Sequence, residues 1–125
     1  MKKIATSIMT LAAVGLTAGW LHAATVLDDT VWNAKFDDAD KTEDTLVFVD
    51  GKFISTKCVP YGYKTSGYTA SKAADATKWS ADQKSGADKM SWAGESKGDS
   101  MSGQFVRTTP NGTKSTVKWT ATKAQ

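Results

Sequence analysis

"MSWAGESKGDSMSGQF", residues 90–105, carries two alternating patterns back to back. Met90, Trp92 and Gly94 alternate with Ser91, Ala93 and Glu95. Beyond Lys97-Gly98, Met101, Gly103 and Phe105 alternate with Ser100, Ser102 and Gln104. A period of two is that of a β-strand with one buried and one wet face. Two such strands joined at Lys97-Gly98 read as a hairpin. The inward rows mix the bulkiest side chains with residues that have none. A narrow barrel requires this mixture, because its interior holds only as many side chains as fill it, or one small ligand. Glycine within a strand also lets the strand bend sharply, as a small barrel demands.

The same period recurs along the chain. Thr30 to Phe36 places Trp32, Ala34 and Phe36 on one face. Thr45 to Val49 and Lys52 to Cys58 flank Asp50-Gly51, a two-residue hairpin signal. Across that turn Phe48 pairs with Phe53 and Leu46 with Ser55. Pro60 and Gly62 interrupt the next stretch. Strands follow near Gly67–Ser71, Thr77–Gln83 and Thr113–Thr122, the last after the turn residues Asn111 and Gly112. The short segment Lys72 to Ala76 reads as one helical turn. Eight short strands with tight connections predict an all-β, up-and-down antiparallel barrel, which leaves no open sheet edge. A β-sandwich is the alternative.

The N-terminus is set apart from this domain. Lys2 and Lys3 precede an uncharged apolar run from Ile4 to Trp20, then Leu21-His22-Ala23, a small-residue cleavage site. This is the pattern of a secretory signal peptide over residues 1–23, leaving a single domain at 24–125. An uncleaved anchor is the alternative. "LTAG", residues 16–19, is followed by Trp20 where a lipoprotein box needs Cys. The expected location is periplasmic or secreted, with no stable membrane anchor after cleavage. Loss of Lys2 and Lys3 lowers the formal charge from +3 to +1. The remaining charge is uneven. Residues 28–50 hold eight acids and two lysines, whereas residues 51–125 hold twelve bases and five acids.

Several chemistries lack their residues. His22, in the leader, is the chain's one histidine. Ser-His-Asp and Cys-His catalysis in their usual forms therefore have no base. The commonest zinc ligand is missing too. The single cysteine, Cys58, allows no internal disulfide and no haem attachment pair. It reads as a buried small hydrophobe, the alternative being a thiol that meets another chain. A calcium loop begun at Asp38, in the acidic stretch 37–44, needs Gly and Glu where Glu43 and Val49 stand, so the stretch reads as a solvated loop, a weak surface calcium site being the alternative. Lysines are scattered singly rather than clustered with exposed aromatics, so nucleic acid is not an expected partner. No enzyme, cofactor or metal is expected.

The outline resembles the lipocalin-like (calycin) group of small exported barrels. Trp32 stands where such barrels keep a Trp near the start of their first strand, although Thr30 replaces the family's Gly in Gly-x-Trp. A looser likeness is to small exported bacterial barrels of unassigned function. They share a run like Leu46-x-Phe48-x-Asp50-Gly51-x-Phe53-x-Ser55-x-x-Cys58, then Trp92-x-Gly94 and Gly103. The resemblance implies a barrel that binds a small apolar or aromatic ligand at its mouth. Trp32, Trp79, Trp92 and Trp119 are the candidate ligand contacts, joined by Tyr61 and Tyr63 in the loop after Cys58. The alternative is a structural or protein-interaction module with a filled core. A small apolar ligand and a protein are thus the two candidate partners, and the sequence leaves the oligomeric state open.

Overall fold

The computed structural model describes residues 26–124; the expected signal peptide over residues 1–23 lies outside them. Eight strands follow one another around a closed barrel: β1 (Thr30–Phe36), β2 (Glu43–Val49), β3 (Lys52–Ser55), β4 (Ser66–Ala73), β5 (Ala76–Ser85), β6 (Asp88–Lys97), β7 (Ser100–Thr108) and β8 (Lys114–Lys123). Every pairing is antiparallel between chain neighbours, and β8 returns to β1 through Ala34↔Ala121 and Phe36↔Trp119. The up-and-down barrel, not the sandwich, is the architecture.

The expected registers hold at the β2–β3 hairpin, with Phe48↔Phe53 and Leu46↔Ser55. Its turn has φ of 53° at Asp50 and 72° at Gly51. Positive φ at both central residues matches the right-handed twist of the flanking strands. Two boundaries depart from the sequence reading. The segment expected as a helical turn is not helical. β4 runs on to Ala73, and Ala74-Asp75 turns directly into β5. Ala74 takes φ 55°, a left-handed conformation with a cost for any residue carrying a Cβ. The third strand also stops at Ser55 rather than Cys58. There the Asp44 carboxylate captures the Thr56 hydroxyl and the Lys57 N–H and folds the chain out of the ladder. A single 3-10 turn, Val59–Tyr61, follows with Pro60 at its start.

The barrel has two ends. One carries the N-terminal residues 26–29 and the turns at Asp50-Gly51, Ala74-Asp75 and Gly98-Asp99. The other carries the β1–β2 loop, the long β3–β4 loop, the turn at Gly86-Ala87 and the β7–β8 loop.

Between the ends, the inward faces meet in one continuous belt. Phe36 pairs with Trp119, Trp119 with Gly103, Gly103 with Gly94, Gly94 with Trp79, and Trp79 with Ala70. Two glycines thus stand side by side between two tryptophans, and the Trp79 and Trp119 rings approach to 6.0 Å across them. A Cβ placed on Gly103 would lie 2.0 Å from the Ala93 carbonyl oxygen and 2.8 Å from the Trp119 ring. One on Gly94 would lie 2.6 Å from Trp79 Nε1. Neither separation is tolerable for carbon.

Gly103→Ala is therefore expected to destabilise the barrel by about 1–3 kcal/mol, the range for overpacking a filled core. Ser102→Leu, one residue away on the wet face, should stay within about 0.5 kcal/mol. Urea denaturation midpoints compare the two.

Candidate functional surfaces

The lumen is occupied by the protein's own aromatic side chains. Trp32, Trp92, Trp119, Phe48 and Phe53 are almost fully buried, with Trp79, Phe36, Phe105 and Tyr68 close behind. Phe53 meets Trp79 at 4.9 Å and Trp92 at 5.1 Å. Trp92 meets Phe105 at 4.7 Å, and Phe48 meets Tyr68 edge-on at 5.0 Å. Tilted and edge-to-face contacts at these separations are the favourable ones for aromatic pairs. Buried indoles usually find partners for their N–H groups; three of these do, and Trp119 Nε1 does not. Trp92 Nε1 donates to Gln83 Oε1 at 3.0 Å, and Gln83 Nε2 donates onward to the Lys64 carbonyl. Trp79 Nε1 donates to Met101 Sδ at 3.3 Å. Trp32 Nε1 donates to the Thr30 hydroxyl at 2.9 Å, and that hydroxyl donates to the Leu27 carbonyl. Thr30, which breaks the Gly-x-Trp pattern, thus supplies the partner of the Trp32 indole.

Both ends of the lumen are covered. At the N-terminal end Leu27 is buried, and its N–H donates to the Tyr68 hydroxyl. That hydroxyl donates to the Asp28 carboxylate at 2.8 Å, which also accepts from Gly51 N at 2.9 Å. Burial, and then the neighbouring Asp28 charge, push the Tyr68 phenol well above its ordinary value. At the opposite end the β3–β4 loop lies across the opening. Its Cys58 and Tyr63 are buried, with Cys58 Sγ 3.8 Å from Met90 Sδ. The thiol is pushed up by burial foremost, with the Asp44 charge adding to it. A thiol held neutral in this way is a poor nucleophile. Asp44 is the anchor of this end: buried, it accepts from the Ser55 hydroxyl, from Thr56 Oγ1 at 3.1 Å and from Lys57 N at 2.8 Å.

The acidic β1–β2 loop uses its carboxylates internally. Asp38 accepts from the Thr42 N–H and hydroxyl, which lower its pKa, and Asp37 is held below the usual range by its hydrogen bond and ion pair to Lys41 at 2.7 Å. Among the described residues, no helix is long and apolar enough to cross a membrane.

The sequence-chosen residues therefore separate. Trp79, Trp92 and Trp119 come together in one ring cluster, and Trp32 is buried nearer the N-terminal end. Tyr63 is 5% exposed, whereas Tyr61 is 74% exposed at the tip of the β3–β4 loop. Asp44, Gln83 and Asp28 are structurally decisive and were not singled out by the sequence. Gln83 was within reach, since it continues the inward parity of Trp79 and Ala81. The outer wall carries the open space. A groove of about 1150 Å3 runs over the belt from β4 through β8 to β1. Ser80, Ala93, Ser102 and Gln104 line it together with Lys35, Lys78 and Lys118. Trp79 and Trp119 border it where the glycines leave the wall thin. A second hollow of about 880 Å3 adjoins it, sharing Lys35, Glu95, Ser102 and Thr120. No protein family, curated protein or solved structure that was compared matches this chain.

Two substitutions probe the ends. Asp44→Ala should cost about 2–3 kcal/mol, because it leaves a buried hydroxyl and an N–H without their charged acceptor. Thiol alkylation of the native protein should accelerate in the same variant as the loop over Cys58 loosens. Tyr68→Phe should cost about 1.5–3 kcal/mol at neutral pH, having lost the bond to Asp28. The Tyr68 pKa is raised from 10.0 on folding. Its contribution is therefore complete below pH 10 and falls away as pH climbs further. Stability measured above pH 10 should fall less steeply in Tyr68→Phe than in the parent.

Proposed function

We propose that this protein is a non-enzymatic, exported binding module that acts through its outer surface, its packed barrel serving as a rigid scaffold. The observation that carries this reading is the lumen filled by the contacting rings of Trp79, Trp92 and Trp119 and the buried aromatic core around them, with both ends covered. A lipocalin-like carrier needs volume inside its mouth, and here aromatic rings stand in that place. A scaffold needs the reverse, a core whose shape does not change when a partner arrives. The exterior supplies the concave surface and charged groups that recognition uses. The leader-like N-terminus supports export to the periplasm or beyond.

Titration with N-phenyl-1-naphthylamine, an apolar dye that accepts energy from tryptophan, tests the reading. The expected result is no saturable quenching of tryptophan emission. Stoichiometric dye binding that is unaffected by Ser102→Leu, on the outer wall of the groove, would place the ligand in the lumen and overturn the filled scaffold.

A further inference from the structure

We propose that the barrel end bearing the β3–β4 loop docks onto a membrane surface rich in anionic lipid headgroups. The proposal rests on the exterior-acting reading and gives that exterior a partner.

The first observation is a row of like charges. On the outer face at this end, Lys84 pairs directly with Lys89, Lys89 with Thr108, and Thr108 with Lys114. The three lysines are exposed, and no acid lies in the row. Like charges directly opposite one another in an antiparallel pair are unfavourable for the sheet itself. Asp88 does not relieve them, because Arg107 engages it at 3.4 Å. Asp82 lies one outward position further down β5, opposite Ser91.

The second observation is an apolar tip beside that row. Val59 and Tyr61 are 49% and 74% exposed, the two most exposed large apolar residues among those described. Pro60 between them is exposed as well. Lys57 and Lys64 bracket this segment and are exposed. The tip is held in place: the Ser85 hydroxyl donates to the Tyr61 carbonyl at 2.7 Å, fastening the loop to the β5–β6 turn beside Lys84. A fixed tip loses little freedom on binding. Tyrosine and valine enter the headgroup boundary while lysines reach the phosphates around them, the combination interfacial proteins use. An acidic protein would account for the lysines, but it leaves the wedge of Val59, Pro60 and Tyr61 without a role.

The acidic β1–β2 loop sits at the same end and defines the tilt. It lies across the barrel order from the β5–β6 turn, so contact through Tyr61, Lys84 and Lys89 keeps its carboxylates away from the lipid. The mode is peripheral and reversible.

Sedimentation of the purified protein with phosphatidylglycerol-rich vesicles, and with pure phosphatidylcholine vesicles, tests the proposal. Binding is expected to the anionic vesicles alone and to weaken with added salt. Each of Lys84→Gln and Lys89→Gln should weaken it by about fivefold, the worth of one lysine near an anionic surface. Tyr61→Ser should weaken it without changing the salt dependence. Lys72→Gln, at the opposite end of the barrel, should leave it unchanged. Equal binding to both vesicle types, or none to either, overturns the proposal. So does binding matched by soluble polyglutamate and indifferent to Tyr61→Ser, which would mark an acidic protein as partner. The dye titration contains no vesicles, so a failure here leaves the filled-scaffold reading standing or falling on its own result.

Discussion

The structure depends on the close approach of two backbones at Gly94 and Gly103. With no Cβ at either position, the Trp79 and Trp119 rings pack against the backbone there, their centroids 6.0 Å apart. From that contact the core follows in both directions. Trp79 hands on to Phe48 and Phe53, and Trp119 hands on to Trp92, Phe105 and Phe36. The same two glycines line the lateral groove. Any side chain at Gly103 would push the ladder apart and disturb both.

Filling a barrel with aromatic rings trades capacity for rigidity. Each ring removes a large apolar area from water, and a barrel with no disulfide must hold by such burial. The polar devices at the two ends differ in kind from the core. Asp28 with Tyr68, and Asp44 with Ser55, Thr56 and Lys57, are charge-assisted networks that bind covering segments to the barrel rims. Such bonds are the stronger class, and their acceptors come from the acidic N-terminal part of the chain. The imbalance of charge along the sequence therefore has a partly internal use.

The strand order, the Phe48↔Phe53 register and the inward aromatic positions were legible because period-two alternation directly reports which face is buried. The hairpin at Asp50-Gly51 was legible because its turn type demands particular residues. The turn at Ala74-Asp75 was not, since Ala74 adopts a left-handed conformation without the glycine or asparagine that announces one. The early end of the third strand was hidden as well. It is set by Asp44, more than ten residues upstream, and such a long-range capture leaves no local pattern. Of the candidate site, the sequence identified the right aromatic residues but not their fate. Alternation says that Trp79, Trp92 and Trp119 point inward; only packing says that they meet. Likewise Tyr61 and Tyr63, two residues apart, look equivalent in sequence, yet the fold exposes one and buries the other.

The central claim is that the barrel interior is full, so that recognition belongs to the exterior. Xenon enters apolar cavities too small or too dry for most ligands, which makes it a direct probe of this claim. A xenon-129 chemical-shift titration of the purified protein, followed in parallel on the tryptophan indole protons, measures it. A full interior predicts a shift that grows linearly with protein concentration and leaves the Trp79, Trp92 and Trp119 signals in place. A saturable xenon shift accompanied by movement of those indole signals would reveal an internal cavity and contradict the account.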